Sequence, residues 1–155
     1  LLNNCEIGKK PMKYLSFYFY NPNCEIKYLD ISGNKINGEI LAPLEKNKDY
    51  ELDCILADKC IIDNKTINIL SKIKTKKLSL ANNNIDSELI EKLMNNYINE
   101  LNVANNCILS SGVFNICKNM PNLTKLNLSN NNLCDLSIMY LSLYIKNPKN
   151  KLISL

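Results

Sequence analysis

The chain has 155 residues, 46% of them hydrophobic, and a net charge of +4, which suits a single domain with a substantial core. Its basic residues are all lysines, and the densest cluster, Lys72, Lys74, Lys76 and Lys77, is interpreted as a solvated loop rather than a basic face for nucleic acid. Because the sequence contains no histidine, ordinary Ser-His and Cys-His nucleophile pairs are excluded, and we expect a chain that is not an enzyme.

The first predicted elements are the end of a strand and an aromatic-rich helix. Residues 1–7 have the pattern of a strand end, and Pro11 suits the first turn of a helix. The apolar positions of this helix recur at helical spacing, at Met12, Leu15, Tyr18 and Phe19. The Asn21-Pro22-Asn23 sequence then predicts the turn that ends it.

Five short strands are predicted after this helix, because apolar residues two positions apart share one face of a strand. They lie near residues 27–32, 53–57, 77–80, 100–103 and 125–128. In the fifth strand, Leu126 and Leu128 point inward. The link after the first strand contains Gly38 and Pro43 and has room for only one or two helical turns.

A helix is predicted after each later strand, beginning where a polar side chain can cap it. The predicted caps are, in chain order, Asp63 or Asn64, Asp86 or Ser87, Ser110 or Ser111, and Asp135. The middle two helices are expected to span Glu88–Tyr97 and Val113–Asn119. Phe114, Cys117 and Met120 are expected to face the strands. The apolar residues of the last helix are Leu136, Met139, Tyr140, Leu143 and Tyr144.

A repeated pattern joins these elements. The stretch Leu123–Leu133 reads L-x-x-L-x-L-x-x-N-x-L, and substituted copies put an Asn or Cys at residues 5, 34, 60, 83, 106 and 131. The amide of each Asn is expected to bond backbone groups where the chain leaves its strand. This pattern resembles the consensus of leucine-rich repeat proteins, and its intervals with helical returns resemble the ribonuclease-inhibitor-like class.

The resemblance implies an α/β leucine-rich repeat solenoid, a horseshoe segment with parallel strands on the concave face and helices on the convex face. Residues 1–155 are then a single domain of about five full repeats, with partial repeats at both ends. Pro148, Ile153 and Leu155 are predicted to match Pro121, Leu126 and Leu128. We expect a segment of a longer array, whose C-terminal edge is covered by further repeats or a partner.

The seven cysteines contain no C-x-x-C pair. We expect them to be buried free thiols in a reducing, cytoplasmic compartment. No metal ion or cofactor is expected, since close Cys pairs and His are lacking. No apolar run reaches the roughly 20 residues of a membrane span, so no membrane partner is expected either.

Candidate binding residues follow from the strand alternation, because the side chains between the inward residues point to the concave face. The candidates are Tyr28, Asp30, Asp58, Lys77, Ser79, Glu100, Asn102, Lys125 and Asn127. They form a protein-binding face or, in the simpler interpretation, the polar surface that any solvent-facing strand needs. Asp30 and Asp58 are interpreted as surface charges rather than as a catalytic pair.

The family resemblance implies a non-enzymatic scaffold or assembly subunit that binds a protein partner through the concave face or the adjoining loops. A second hypothesis is a regulator of a small GTPase, since GTPase-activating proteins of the nuclear transport type resemble this repeat class. A third is the substrate-recognition arm of a ubiquitin ligase. Fold alone does not choose among them.

Overall fold

Strands and helices alternate through a single stack in the computed structural model, which describes residues 2–21, 23–36, 38–47 and 49–155, with the backbone alone over 9–13. The strands are β1 (Tyr28–Asp30), β2 (Glu51–Leu56), β3 (Lys74–Ser79), β4 (Glu100–Asn102) and β5 (Lys125–Asn127). They form one parallel sheet in sequence order. The five predicted strands and the α/β solenoid architecture are confirmed.

Helices connect the strands and pack side by side. They are α1 (Lys9–Phe19), α2 (Ala42–Lys46), α3 (Asn64–Leu70), α4 (Ser87–Glu91), α5 (Ser110–Asn119) and α6 (Asp135–Lys146). A single 3-10 turn, Gly38–Ile40, precedes α2 and gives the short link that the sequence predicts. α1 ends at Phe19, just before the predicted turn at Asn21-Pro22-Asn23, whereas Pro22 and the side chain of Met12 lie outside the described residues.

The core is built from apolar columns that run through the stack. One column is Leu29, Ile55, Leu78, Leu101 and Leu126, which are in register and at most 4% exposed. Burying each such side chain stabilises the fold by roughly 1.5–3 kcal/mol. One strand and its helix cannot bury their apolar faces by themselves. Each unit is therefore stabilised by packing against the neighbouring units.

A ladder of polar side chains holds the turns that follow the strands. Asn106 Nδ2 donates to three carbonyls, those of Leu80, Val103 and Ala104, at 2.9–3.1 Å. Asn106 Oδ1 accepts from the backbone N–H groups of Asn83 and Ile85. The predicted role of the repeated Asn is therefore confirmed, since its amide satisfies buried backbone groups in its own unit and the one before.

Two of the predicted caps are confirmed and two are wrong. Asp63 and Asp86 each accept a backbone N–H at the start of α3 and α4, at 2.7 and 2.8 Å. The cap residue of α5 is Leu109, and Ser87 of the preceding unit accepts the N–H groups of Leu109 and Gly112 in place of Ser110 or Ser111.

α6 begins at Asp135, so its cap residue is Cys134 and the prediction of Asp135 as the cap is wrong. The Cys134 N–H donates to Ser137 Oγ at 3.2 Å, which closes a capping box. Hydrogen bonds that the backbone N–H groups of Ser137 and Leu136 donate to the Cys134 sulfur, the one from Ser137 first, lower the pKa of this thiol.

The helix after β3 is shorter than the predicted Glu88–Tyr97, because α4 ends at Glu91. The buried Asn95 side chain donates to the carbonyls of Leu70 and Ile73 at 3.1 and 2.8 Å. These bonds to the preceding unit hold residue 95 outside the helix. The periodicity of one segment cannot reveal such a contact.

Several helical side chains lie on the surface, where burial was expected. Phe114 does not face the strands but is exposed, with its ring 5.1 Å from that of Tyr140. α6 exposes Leu136, Met139 and Leu143 and buries Ser137, Leu141 and Tyr144. Position in the stack therefore decides which apolar helical residues are covered.

The C-terminal segment has a different register from the predicted one. Ser154 forms a parallel bridge with Lys125, so Leu152 and Leu155 correspond to Leu123 and Leu126. The predicted match of Ile153 to Leu126 is wrong, because the segment between the two strands is two residues longer than assumed. Ile153 is largely exposed as a result.

Burial of the cysteines is only partly as predicted. Cys24, Cys54 and Cys60 are buried, and burial raises the pKa of the Cys54 and Cys60 thiols. Cys117 is half-buried, and burial raises its pKa to about 11. Cys5, Cys107 and Cys134 are exposed, because they lie in the segments that lead to or from a turn rather than in the core.

Candidate functional site

The side chains between the core columns form two rows across the concave face of the sheet. The outer row is Tyr28, Cys54, Lys77, Glu100 and Lys125, and the middle row is Asp30, Leu56, Ser79, Asn102 and Asn127. Equivalent residues of successive units therefore lie side by side, about 4.8 Å apart as in any sheet. Eight of the nine candidate residues are in these rows, and the ninth, Asp58, lies just after the end of β2.

The outer row carries charges of alternating sign. Glu100 lies between two lysines, with its carboxylate oxygens 2.7 Å from Lys125 Nζ and 3.7 Å from Lys77 Nζ. The hydrogen bond from Lys125 is the largest cause of a lowered Glu100 pKa, so the carboxylate stays ionised well into the acid range. Since the two lysines remain about half-exposed, they are open to a partner.

The middle of the face is held by a chain of hydrogen bonds. Asp58 Oδ1 accepts from Ser79 Oγ at 2.6 Å and from the Ala81 N–H at 2.8 Å. Asn102 Nδ2 donates to the same Ser79 hydroxyl at 2.9 Å. Ser79 is buried by these neighbours, so Ser79 and Asp58 shape the surface and offer little of it to a ligand.

The structure brings six of the nine candidate residues to one place. A shallow concavity of about 530 Å³ has all six in its lining, namely Lys77, Ser79, Glu100, Asn102, Lys125 and Asn127. It extends over β3, β4 and β5 and reaches the segment after α6. The contributing side chains are mostly polar, and Glu100 is the charged residue between Lys77 and Lys125.

The other three candidates lie apart from this concavity. Tyr28 is exposed at the far end of the outer row. Asp30 is buried, and its carboxylate accepts the Ser32 N–H at 3.0 Å. The register places Asp30 beside Leu56, whereas Asp58 bonds to Ser79 in the next unit, so each carboxylate has its own local partners.

Two of the lining residues that were not among the candidates come from the C-terminal segment. Ser154 and Leu155 form the C-terminal rim of the concavity, because Ser154 pairs with Lys125. The signal was present in the sequence, since Leu152 and Leu155 have the same L-x-x-L spacing as Leu123 and Leu126. The assumed alignment on Pro148 concealed it.

The lysine cluster lies mainly in β3 rather than in a loop. The cations meet carboxylates of neighbouring units, in the pairs Lys72–Glu45, Lys76–Asp53 and Lys77–Glu100. Salt bridges of this kind at the surface contribute little stability. The carboxylates do, however, offset the clustered positive charge that binding to a nucleic-acid phosphate backbone would require.

The described residues were also searched for other kinds of site. Among them, no three Cys, Asp or Glu side chains lie close enough together to hold a metal ion. In the same part of the chain, no helix combines the length and apolar character needed to cross a membrane.

Comparison with known proteins gives one family match and several fold matches. The family described as Leucine Rich repeat matches residues 23–44 and 119–142. No curated protein matches the chain by sequence. The fold matches therefore carry most of the comparison.

Three solved structures share the fold. The tropomodulin C-terminal domain of Caenorhabditis elegans has a TM-score of 0.57 at 15% identity, over 92% of this chain and 80% of that one. Actin-binding site 2 of leiomodin-1 has a TM-score of 0.56 at 19% identity, over 94% of this chain and 76% of that one. An internalin from Listeria monocytogenes has a TM-score of 0.54 at 21% identity, over 94% of this chain and 37% of that one.

At these identities the likeness concerns the fold. It agrees with the core columns, with the Asn ladder and with the family match at both ends of the stack. The chain therefore has the fold of leucine-rich repeat proteins.

Proposed function

We propose that the chain is a non-enzymatic interaction module that binds a protein partner on its concave face. The observation that carries the proposal is the concavity over β3 to β5, where half-exposed Lys77 and Lys125 flank Glu100. The paired strands hold the backbone of these residues at fixed spacing, so a partner binds without a cost for ordering that backbone.

The charge arrangement indicates what the partner segment carries. Two lysines with a carboxylate between them complement a segment with acidic side chains at both ends and a basic or polar side chain in the middle. The lining lacks Trp and Arg, which supply many of the strongest interface contacts. We therefore expect modest affinity and a strong dependence on ionic strength.

The fold matches support a binding role of this general kind. One of the structures is named as an actin-binding site of leiomodin-1. At 19% identity the likeness does not extend to actin as the partner of this chain. It does show the same scaffold in a protein whose named task is to bind another protein.

The test is charge reversal on the concave face. The chain is used as bait, and the amount of one identified captured protein is compared between wild type, a Lys77→Glu/Lys125→Glu variant and a matched Lys118→Glu/Lys149→Glu variant, whose lysines are exposed outside the concavity. We expect at least tenfold less capture by the concave variant and unchanged capture by the control. Equal capture by both variants would show that the partner binds elsewhere.

The GTPase-regulator and ubiquitin-ligase hypotheses remain predictions of the family resemblance. Adding the chain to small GTPases and measuring GTP hydrolysis separates the first of them from simple binding. An increase in hydrolysis that Lys77→Glu/Lys125→Glu abolishes would assign the concave face to GTPase regulation instead.

A further inference from the structure

A second concavity, called the flank pocket here, lies on the side of the stack where the chain returns from the helices to the strands. Its volume is about 450 Å³, and none of its lining residues belongs to the concavity on the concave face. Three successive units contribute to it, with Tyr50 before β2, Lys72 and Lys74 around the start of β3, and Tyr97 before β4. It is therefore a separate surface, built in the middle of the stack.

Two tyrosine rings contribute to the walls of the flank pocket. The Tyr50 hydroxyl donates to the carbonyl of Ile26 in the preceding unit and lies 3.2 Å from Cys24 Sγ. These contacts hold the Tyr50 ring in place. Tyr97 is 53% exposed, so its ring is open to a ligand. Tyrosine is a frequent anchor in protein interfaces, because its ring offers a large contact area at a low entropic cost.

The lysine cluster supplies the charge of the flank pocket. Three members of the cluster, each paired with a carboxylate of a neighbouring unit, are Lys72, Lys76 and Lys77. Lys74 has no such partner within 4 Å in the part of the chain that the structure describes. Its neighbour in the sheet is Glu51, whose carboxylate lies 3.7 Å from Lys76 instead. Lys74 Nζ lies 5.7 Å from the centre of the Tyr97 ring, a cation–π contact that holds the ammonium at the pocket wall.

The charges of the lining leave one positive charge for a ligand to balance. Lys72 is neutralised by Glu45, whose carboxylate lies 2.7 Å from its Nζ. Lys74 is then the uncompensated cation. One carboxylate of a ligand balances it, whereas a phosphate group carries close to two negative charges at neutral pH and would be repelled by Glu45. The tyrosine rings add apolar surface beside this cation, so the lining suits a carboxylate that is attached to an apolar group.

We propose that the flank pocket binds an acidic segment of a protein partner, in which an Asp or Glu lies next to an aromatic or aliphatic residue. The carboxylate accepts a hydrogen bond from Lys74 Nζ, and the apolar side chain packs against the rings of Tyr50 and Tyr97. Because Lys74 is already held against a ring, it loses less freedom on binding than an unrestrained lysine. This contact does not depend on the proposed function of the concave face.

The first test selects binding segments without assuming their sequence. A phage library of random short peptides is selected on the immobilised 155-residue chain, and the enriched peptides are synthesised and titrated by fluorescence anisotropy. We expect a group of peptides that share an Asp or Glu beside an aromatic or aliphatic residue. Their binding to Lys74→Glu should be at least about tenfold weaker, because the variant repels the carboxylate that Lys74 attracts.

The matched control carries the same change of net charge at the other edge of the sheet. It is Lys35→Glu, at an exposed lysine that follows β1 and does not line the flank pocket. This variant should bind the enriched peptides like wild type. Enrichment of no peptide, or only of peptides that bind Lys74→Glu as tightly as wild type, would overturn the proposal.

The second test concerns the aromatic wall. Tyr97→Ala removes the ring that holds Lys74 and should weaken binding of the enriched peptides about threefold to tenfold. Tyr97→Phe keeps the ring, so its affinity should stay within about twofold of wild type. Circular dichroism checks that both variants fold. Equal binding by all three proteins would show that the ring takes no part in the contact.

The third test separates a carboxylate from other anions. An enriched peptide whose acidic residue is replaced by lysine should lose its binding to wild type and recover it with Lys74→Glu. Failure to recover would show that Lys74 does not contact the acidic residue. The same peptide with phosphoserine at that position should bind no more tightly than the parent peptide. Phosphopeptide binding at least about tenfold tighter would assign the pocket to a phosphorylated partner and overturn the choice of a carboxylate.

Discussion

Two kinds of turn follow the strands, and they differ in what the next unit supplies. The N–H groups of Ile85 and Ile108 donate to the ladder Asn of the next unit, at 2.9 and 3.0 Å. The equivalent N–H groups of Ile36 and Leu133 turn back to the carbonyls of Asn34 and Asn131, both at 2.9 Å. The first pair links two units, and the second pair stays within one.

For Ile36, the difference follows from the residue at the next ladder position. After Asn34 that residue is Cys60, whose thiol donates to the carbonyls of Ile31 and Asp58 at 3.2 and 3.3 Å. A thiol is a weak donor and a weak acceptor, so it replaces only part of what an Asn amide supplies. The contrast teaches that the ladder Asn couples neighbouring units, beyond closing its own turn.

The largest expected effect concerns the core column, which both kinds of unit share. Leu101→Asp should remove roughly 1.5–3 kcal/mol of burial and add an unpaired buried charge, for a total loss above about 4 kcal/mol. The measurement is urea unfolding followed by circular dichroism. The matched control is Leu109→Asp, because Leu109 is exposed at the cap position of α5, where Asp is a favoured residue. A harmless Leu101→Asp would mean that the inward assignment is wrong.

The next largest effect is expected when the hydrogen bonds between neighbouring units are removed. Asn106→Ala should orphan carbonyls in two units and release the N–H groups of Asn83 and Ile85. We expect a loss of about 3–5 kcal/mol, since each buried orphan costs roughly 1–3 kcal/mol and some groups find water. The same unfolding measurement checks it. A loss below about 1 kcal/mol would show that the ladder is dispensable.

A smaller effect is expected at the helix caps, which also differ between units. Asp63→Ala should cost about 1 kcal/mol. The Thr66 hydroxyl is the main cause of a lowered Asp63 pKa, so its charged form stabilises the fold above the unfolded pKa of about 3.9. This advantage over Asp63→Asn should disappear as the pH falls through the lower folded pKa. A stability difference that does not change with pH would contradict the assignment.

The smallest expected effect is an increase in stability. It is expected when the Cys at one ladder position is replaced by the Asn found in most other units. Cys60→Asn supplies an acceptor for the Ile36 N–H, as Asn106 does for that of Ile85. We expect about 0.5–1.5 kcal/mol of added stability. Calorimetry of the two proteins measures it, and a loss of stability would indicate that this turn is shaped for a thiol.

The sequence was sufficient to predict the strands, the core columns and the ladder, because these depend on spacing within one unit. It was not sufficient for contacts between units. The Asn95 bonds that shorten α4, and Ser87 in place of a cap on α5, involve side chains of one unit and backbone of another. Their partners lie more than twenty residues away, beyond what local periodicity can indicate.

The candidate surface divides in the same way. Strand alternation predicts that Lys77, Glu100 and Lys125 share a row, and the register bears this out. Strand alternation cannot predict that Asn102 and Asp58 cover Ser79, because this burial depends on hydrogen bonds between side chains of neighbouring units. Ser154 was left out of the row because the last unit was aligned on Pro148, although the L-x-x-L spacing of Leu152 and Leu155 indicates its true length.

Native-state hydrogen exchange tests most directly whether the ladder side chains hold neighbouring units together. The N–H groups of Ile85 and Ile108 should exchange at least about tenfold more slowly than those of Ile36 and Leu133, which corresponds to one hydrogen bond between units. In Cys60→Asn, the N–H of Ile36 should slow to the rate of the first pair. Equal rates for all four groups in the wild type, with no change at Ile36 in the variant, would contradict the coupling.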